Sequence, residues 1–218
     1  GNSYTLQYLE SFTDRLAVAR LLWANAHIRL SCPEAFRVHR DVIEWNARFS
    51  NDRIPDQALG VDPLTARIMK WVMHSWERVT FFNRYMGGTI APRVQMDFVP
   101  ALRCASHILI RPEKTPASLQ DYVLSGIALQ QFWLTATSLG LQLQPEMTPL
   151  IFRWYVRAGR PISQLATIND AAVELAGKFE QLAGAGNNTP YAFFCRVGNS
   201  PQPRSRSLRK DTENLMTT

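Results

Sequence analysis

The sequence has little cysteine and little histidine, with three cysteines and four histidines in 218 residues. Cys32, Cys104 and Cys195 are far apart and odd in number, which fits neither a disulfide framework nor a zinc site. This usage favours a reducing compartment, and we predict a cytoplasmic protein. The histidines show no His-x-x-x-His spacing, so the sequence predicts no metal site. His107 lies in an apolar run and is predicted to be a core histidine. Cys32 lies near a predicted helix start, where a thiolate would be favoured.

Long apolar runs and the common catalytic motifs are also missing. No stretch approaches the roughly 18–20 apolar residues of a membrane span, so the sequence predicts no membrane partner. It contains no Gly-x-Ser-x-Gly, no P-loop and no Gly-x-Gly-x-x-Gly motif, which leaves hydrolases, kinases and Rossmann dehydrogenases unsupported. Apolar residues make up 46% of the chain and charged residues 19%, a composition typical of a globular protein.

The excess of positive charge is concentrated in one segment. Five cations and no acids occur between Arg196 and Lys210, and subtracting them from the net charge of +6 leaves +1. A basic face spread over the fold is therefore not indicated, and we predict no nucleic-acid partner. Arginines spaced after a strand, such as Arg204 and Arg206, can bind phosphate oxygens two at a time. The alternative is a solvated basic tail.

Hydrophobic periodicity and turn residues predict many helices around a few strands, which is an α+β fold. We expect one domain over residues 1–210 and a flexible tail over 211–218. A Ser-Cys-Pro-Glu capping box is predicted at 31–34, and a connecting segment at 89–97. Besides a central helix, we predict helices over 6–30, 33–49, 62–85, 148–158 and 167–182, and strands over 106–110, 141–144 and 191–197.

The most informative stretch is 125–145, SGIALQQFWLTATSLGLQLQP. Its helical part has almost no polar face, so we expect the helix to be enclosed on most sides. Thr115-Pro116 is predicted to cap the start of this helix. Gly140 stands where a left-handed residue ends a helix, and Leu141 follows as the hydrophobic contact. The alternative to a helix that borders a ligand is an ordinary core helix that ends in a glycine cap, and this explains the same pattern.

Two motifs resemble the flavin-dependent nitroreductase superfamily. The first is the run G-x-A-x-x-Q-x-[WF]-L-x-A-x-x-x-G-L-x-x-Q-P, which begins at Gly126 and ends at Pro145. The second is the closing strand followed by spaced arginines, R-V-G-N-S-P-Q-P-R-S-R, from Arg196 to Arg206. A weaker similarity over 26–59 is to the nitroreductase-like domain that is fused to ubiquitin-activating-like adenylyltransferases.

The resemblance implies an α+β fold with a small, mainly antiparallel sheet, and a homodimer whose interface holds FMN. It also implies which residues contact the flavin. Those expected to bind the phosphate are Arg204 and Arg206, then Arg196 and Gly198. Those expected to border the ring are Gly126, Gly140 and Leu141, with Gln131 and Gln144 as polar contacts.

The activity implied is hydride transfer from NAD(P)H through the flavin to a small-molecule, electron-poor acceptor. In such chemistry the cofactor performs the difficult step, so no acid–base pair need be visible in the sequence. The family's N-terminal arginine motif and its Asn-Gln-Pro-Trp-like segment have no counterpart here. The alternative hypothesis is therefore a non-catalytic scaffold, used for dimerisation or partner binding, or a chain that lacks the N-terminal part of the domain.

Overall fold

The computed structural model describes residues 3–184, 186, 188–208, 210 and 213. Its strands, in chain order, are β1 (Tyr4–Leu9), β2 (Ile43–Glu44), β3 (Phe49–Ser50), β4 (Ile54–Pro55), β5 (Ser106–Pro112), β6 (Gln142–Pro145), β7 (Phe193–Gly198) and β8 (Arg206–Ser207). Its helices are α1 (Phe12–Ser31), α2 (Pro33–Val42), α3 (Pro63–Val72), α4 (Trp76–Tyr85), α5 (Ile90–Pro92), α6 (Val99–Arg103), α7 (Leu119–Ser138), α8 (Thr148–Arg157) and α9 (Ala166–Ala183). The α+β prediction is confirmed.

Contacts between Cα atoms group the chain into two compact units. Unit 1 takes in residues 1–25 and 97–200, and unit 2 takes in 26–96 and 201–218. The division falls inside α1. The expectation of one domain over 1–210 stays a prediction. The predicted tail over 211–218 lies outside the described residues except for Glu213.

Unit 1 is built on a four-stranded antiparallel sheet of order β1-β5-β7-β6. The two central strands are the apolar runs that the sequence predicted as strands, and both are buried. Because side chains alternate between the two faces of a strand, β5 and β7 each contribute apolar residues to a core on both sides of the sheet. On one face, Leu129 and Phe132 of α7 pack against the strands. On the other, the ring centroid of Phe179 in α9 lies 5.9 Å from that of Phe194 in β7.

A buried ion-pair group joins α8 to α9 in unit 1. The Nε atoms of Arg153 and Arg157 each donate to Oε1 of Glu180 at 2.9 Å. Arg157 Nη2 donates to the other carboxylate oxygen. Glu180 and Arg153 are buried, and the Arg153 guanidinium also lies over the ring of Tyr191 at 5.2 Å. The charges of Glu180 and Arg153 are thus removed from water and partly neutralise each other, while Arg157 pairs with the same carboxylate from an exposed position.

Unit 2 has a smaller helical core formed by α2, α3 and α4, in which Phe36, Val72 and Val79 are buried together. Helix α3 begins as predicted, because the Asp62 carboxylate accepts hydrogen bonds from the first free backbone N–H groups and Pro63 follows. Two parallel two-stranded sheets, β2–β4 and β3–β8, complete this unit.

Several predicted helix boundaries are wrong. Residues 4–9 form a strand, and α1 begins only after Ser11, whose backbone and hydroxyl exchange hydrogen bonds with Asp14. The predicted helix over 62–85 is interrupted before Ser75, whose hydroxyl caps α4. The helix over 33–49 ends at Val42, and the segment 89–97 is helical rather than a connection.

The predicted capping box at 31–34 is also wrong. Ser31 is the last residue of α1, and Cys32 occupies the position before α2 without capping it. The Cys32 thiol donates to Glu34 Oε2 at 3.1 Å. Burial, with the neighbouring carboxylate, raises the pKa of the Cys32 thiol, so the expected thiolate is not favoured.

Helix α7 is less enclosed than predicted. Its cap is Ser118, which forms a capping box with Asp121, and not Thr115-Pro116. Only its Ala136 is buried. Leu119 is 81% exposed and Leu134 is 58% exposed. Within the described part of the chain, every helix falls short of the length and apolarity of a membrane span.

Candidate functional site

The arginine-rich segment after β7 is held in unit 2 by pairing with residues far back in the chain. Strand β8 lies parallel to β3, with the Arg206 N–H donating to the Arg48 carbonyl at 3.2 Å. The Arg48 Nε donates to the Arg204 carbonyl at 2.8 Å. The Ser207 hydroxyl donates to the Arg53 carbonyl at 2.8 Å. One of these bonds joins two backbones and two run from a side chain to a carbonyl. Together they hold a group that we call the arginine cluster: Arg48, Arg53, Arg204 and Arg206.

All four side chains of the arginine cluster are exposed. Among the described residues, no carboxylate forms an ion pair with any of the four guanidinium groups. The backbones of these arginines lie close together, and exposed guanidinium groups without a carboxylate partner can bind anions with several oxygens, phosphate above all. Sequence reasoning missed Arg48 and Arg53, because nothing in their spacing signals that β3 pairs with β8.

The corner between α7 and β6 contains the predicted ring-bordering residues. Gly140 has a φ of +76°, as predicted, and Leu141 N–H donates to Ala136 O at 2.9 Å. This is the hydrogen bond of a Schellman cap. A Cβ at Gly126 or at Gly140 would meet nothing within 4 Å, so both glycines border open space. Gln131 is exposed on α7.

The end of β7 holds the other two predicted residues. Arg196 is half-buried, and its Nη1 donates to Glu146 Oε1 at 3.2 Å. Gly198 approaches another backbone segment, since a Cβ there would lie 3.1 Å from the Ala105 nitrogen. Gln144 is the register partner of Arg196 and is exposed. Arg196 therefore has a carboxylate partner, unlike the residues of the arginine cluster.

The predicted residues are divided between the two units. Arg204 and Arg206 lie in unit 2, with Arg48 and Arg53. Gly126, Gln131, Gly140 and Leu141 follow one another along α7 and its cap in unit 1, and Arg196 with Gly198 lies on the strand that pairs with β6.

Unit 1 also contains a buried polar group that the sequence did not reveal. His107 Nδ1 lies 2.7 Å from Glu146 Oε2, and both side chains are buried. The His107 Nε2 lies 3.0 Å from the Ala101 carbonyl and 3.3 Å from Cys104 Sγ. The prediction of a core histidine is confirmed, but its acidic partner lies 39 residues away and has no sequence signal.

Burial by itself lowers the pKa of His107, but hydrogen bonds to Cys104 and Glu146 and the nearby negative charge outweigh burial and raise it to about 9. The imidazole is therefore protonated at neutral pH, with both N–H groups donating. Among the described residues, no group of three or more His, Cys, Asp or Glu side chains is placed to hold a metal ion.

Two clefts lie in unit 2. One has a volume of about 440 Å³ and is lined by polar and basic residues such as Asp56, Arg67 and Lys70. The other is apolar, between α3, α4 and Met86. Neither cleft is lined by a residue that the sequence predicted for a site.

Comparison of the chain with protein-family models, with curated proteins and with solved structures finds no match.

Proposed function

We propose that this protein is an FMN-binding oxidoreductase of the nitroreductase class. The observation that carries the proposal is the arginine cluster, in which pairing of β8 with β3 adds Arg48 and Arg53 to the two arginines expected to bind phosphate. Guanidinium groups without carboxylate partners suit the phosphate monoester of FMN. The resemblance of the sequence to the nitroreductase superfamily supplies the identity of the ligand, since a phosphate site alone does not specify a flavin.

The residues of the chain would bind, position and shield the cofactor. Arg204 and Arg206 would hold the phosphate, supported by Arg48 and Arg53. The resemblance assigns Gly126, Gly140 and Leu141 to the ring, and within unit 1 a Cβ at either glycine would meet nothing within 4 Å. Gln131 would supply a polar contact. Arg196 would have to share its guanidinium with Glu146. When bound, FMN supplies a ring that takes hydride from NAD(P)H and delivers it to an electron-poor acceptor.

The first prediction concerns flavin affinity. Arg204→Ala combined with Arg206→Ala should weaken FMN binding about 100-fold, because two charge-assisted hydrogen-bonding groups are lost. The measurement is a titration of the purified protein with FMN and, separately, with riboflavin, which lacks the phosphate. The unchanged protein should prefer FMN, and the double variant should bind the two ligands about equally.

The matched control is Arg20→Ala combined with Arg67→Ala, which removes the same charge from exposed positions outside the arginine cluster. Its FMN affinity should stay within about twofold of the unchanged protein, since neither residue belongs to the arginine cluster and exposed charges are largely screened by salt. An equal loss in both double variants would mean that net charge, and not the arginine cluster, holds the ligand. Failure of the unchanged protein to bind FMN would overturn the oxidoreductase proposal.

A homodimer formed through α7 belongs to the same proposal. Leu119, Val123, Ile127 and Leu134 are exposed and lie within one stripe of the helix. Gly126 lies in the same stripe and would let a second backbone approach closely. An apolar stripe on a long helix can be covered by its own copy around a twofold axis, which is the commonest oligomeric arrangement.

The second prediction tests this interface. Leu134→Glu should shift the protein from dimer to monomer, because a carboxylate would be buried without a partner at the helix contact. Sedimentation over a range of protein concentrations measures the shift. Val173→Glu is the control, since Val173 is exposed to a similar extent on α9 and outside the stripe. A monomer for the unchanged chain, or equal effects of both variants, would contradict the α7 interface.

A second candidate function is a partner-binding scaffold without flavin chemistry. Large apolar side chains of α3 and α4 are exposed in unit 2, among them Trp71, Phe81 and Tyr85. Aromatic side chains of this kind are frequent anchors at protein interfaces. Absence of FMN binding, together with an intact fold, would favour this candidate.

A further inference from the structure

Cys104 differs from the other two cysteines in its surroundings. Cys32 and Cys195 are buried, at 2% and 0% exposure, whereas Cys104 is only half-buried. It follows α6 and precedes β5, at a turn where the next residue, Ala105, is exposed. Cys104 is therefore partly open to solvent, while Cys32 and Cys195 are enclosed by the core.

The Cys104 sulfur also has a cationic partner. His107 Nε2 lies 3.3 Å from Sγ, and the opposite ring nitrogen is held by the Glu146 carboxylate at 2.7 Å. Glu146 is fixed in turn by Arg196. This order of thiol, imidazole and carboxylate is the arrangement that activates cysteine nucleophiles, with the carboxylate orienting the ring.

The main chain of Cys104 has a cationic neighbour of its own. The Arg15 guanidinium donates through Nη1 to the Cys104 carbonyl at 2.9 Å. Because the pKa of His107 is raised to about 9, the ring is also charged at neutral pH. A protonated histidine beside the sulfur is the environment that reactive cysteines use, and the thiolate is the reactive form of cysteine.

We propose that Cys104 is a modification site at which its thiolate, paired with the His107 imidazolium, undergoes thiol–disulfide exchange with a low-molecular-weight disulfide. The Cys104 sulfur attacks one sulfur of the disulfide, and a new S–S bond forms as the original S–S bond breaks. The departing sulfur takes the electron pair and then a proton from water. Cys104 is oxidised to a mixed disulfide, and the leaving half is reduced to a thiol.

His107 and Glu146 act here as positioning residues and are not consumed. The imidazolium forms an ion pair with the thiolate before attack, and its Nδ1–H stays hydrogen-bonded to Glu146 throughout. The proposal does not depend on flavin binding, because Cys104, His107 and Glu146 are not among the residues assigned to the flavin; Arg196, which pairs with Glu146, is the one residue that the two proposals share.

The test uses oxidised glutathione as the disulfide and mass spectrometry of peptides to follow each cysteine. At pH 7, Cys104 of the folded protein should react about tenfold faster than Cys104 of the chain unfolded in urea. Cys32 and Cys195 should stay unmodified in the folded protein. Cys104→Ser should abolish the mass increase. Reaction of Cys104 no faster in the folded protein than in the unfolded chain would overturn the proposal.

His107→Gln separates activation from simple exposure. Loss of the imidazolium should slow Cys104 to the rate of the unfolded chain or below it, while the two buried cysteines remain protected. If His107 were only structural, the variant would loosen the fold, and all three cysteines would react faster. Ser106→Ala is the matched control, since it removes the hydroxyl that donates to the His107 carbonyl and leaves the ring contacts in place. Its Cys104 rate should be unchanged, and a loss equal to that of His107→Gln would count against the proposal.

Discussion

Replacing Glu180 with alanine is expected to lower the free energy of unfolding by about 3–5 kcal/mol, the cost of removing one partner from a buried charge group. Arg153 and Arg157, one turn apart on α8, would both lose the carboxylate that they now share. Arg153 is itself buried and could not recover its hydration without moving the helix. Urea denaturation followed by tryptophan fluorescence measures the loss.

The control for Glu180 is another glutamate of the same helix. Glu174 pairs with Lys178 four residues later, and both side chains are largely exposed. Glu174→Ala should therefore cost less than about 0.5 kcal/mol, as surface pairs along a helix do. If the two substitutions cost the same, burial would not be what makes the Glu180 group important for stability.

The contribution of His107 to the free energy of unfolding is expected to decrease at alkaline pH. Its pKa is about 9 in the folded protein and 6.5 for the free side chain, so the folded state holds the proton more tightly. The contribution is therefore complete below pH 6.5 and is lost as the pH rises through 9. The difference between the two pKa values corresponds to roughly 3 kcal/mol of unfolding free energy.

The measurement is the free energy of unfolding of the unchanged protein and of His107→Gln, at several pH values between 6 and 10. The difference between the two proteins should shrink by roughly 3 kcal/mol over this range. His39 offers a control with the opposite sign. Burial, and then the charge of Arg29, lowers the pKa of His39 to about 4, so its effect on stability appears in acid and not in alkali. A constant difference between wild type and His107→Gln would show that the ring titrates normally.

The parts of the fold that the sequence predicts well are those whose causes are local. Asp62 and Pro63 start α3, and Gly140 and Gly184 stop α7 and α9 in left-handed conformations. The apolar runs of β5 and β7 are strands because both of their faces are buried. In each case a few neighbouring residues contain the whole physical reason.

The parts that sequence reasoning missed depend on distant partners. The apolar residues of β1 continue the spacing of α1 and so predict a helix, and only pairing with β5 makes the segment a strand. β8 exists because Phe49 and Ser50 lie beside it. Glu146 contacts His107 only because the folded sheet places these two distant residues side by side. The prediction that α7 is enclosed is wrong. An apolar helix sequence does not determine whether another element of the same chain packs over it.

The pairing of β8 with β3 has a consequence for the order of biosynthesis. A chain emerges from the ribosome from its N-terminus, so β3, with Arg48 and Arg53, is made long before Arg204 and Arg206. The early part of unit 2 must therefore wait, with β3 lacking its strand partner, until β8 has been translated. A nascent chain interrupted after β7 could already contain every strand of the four-stranded sheet and yet would lack half of the arginine cluster. Retention on an immobilised phosphate ligand would then separate chains that have reached β8 from those that stopped short of it.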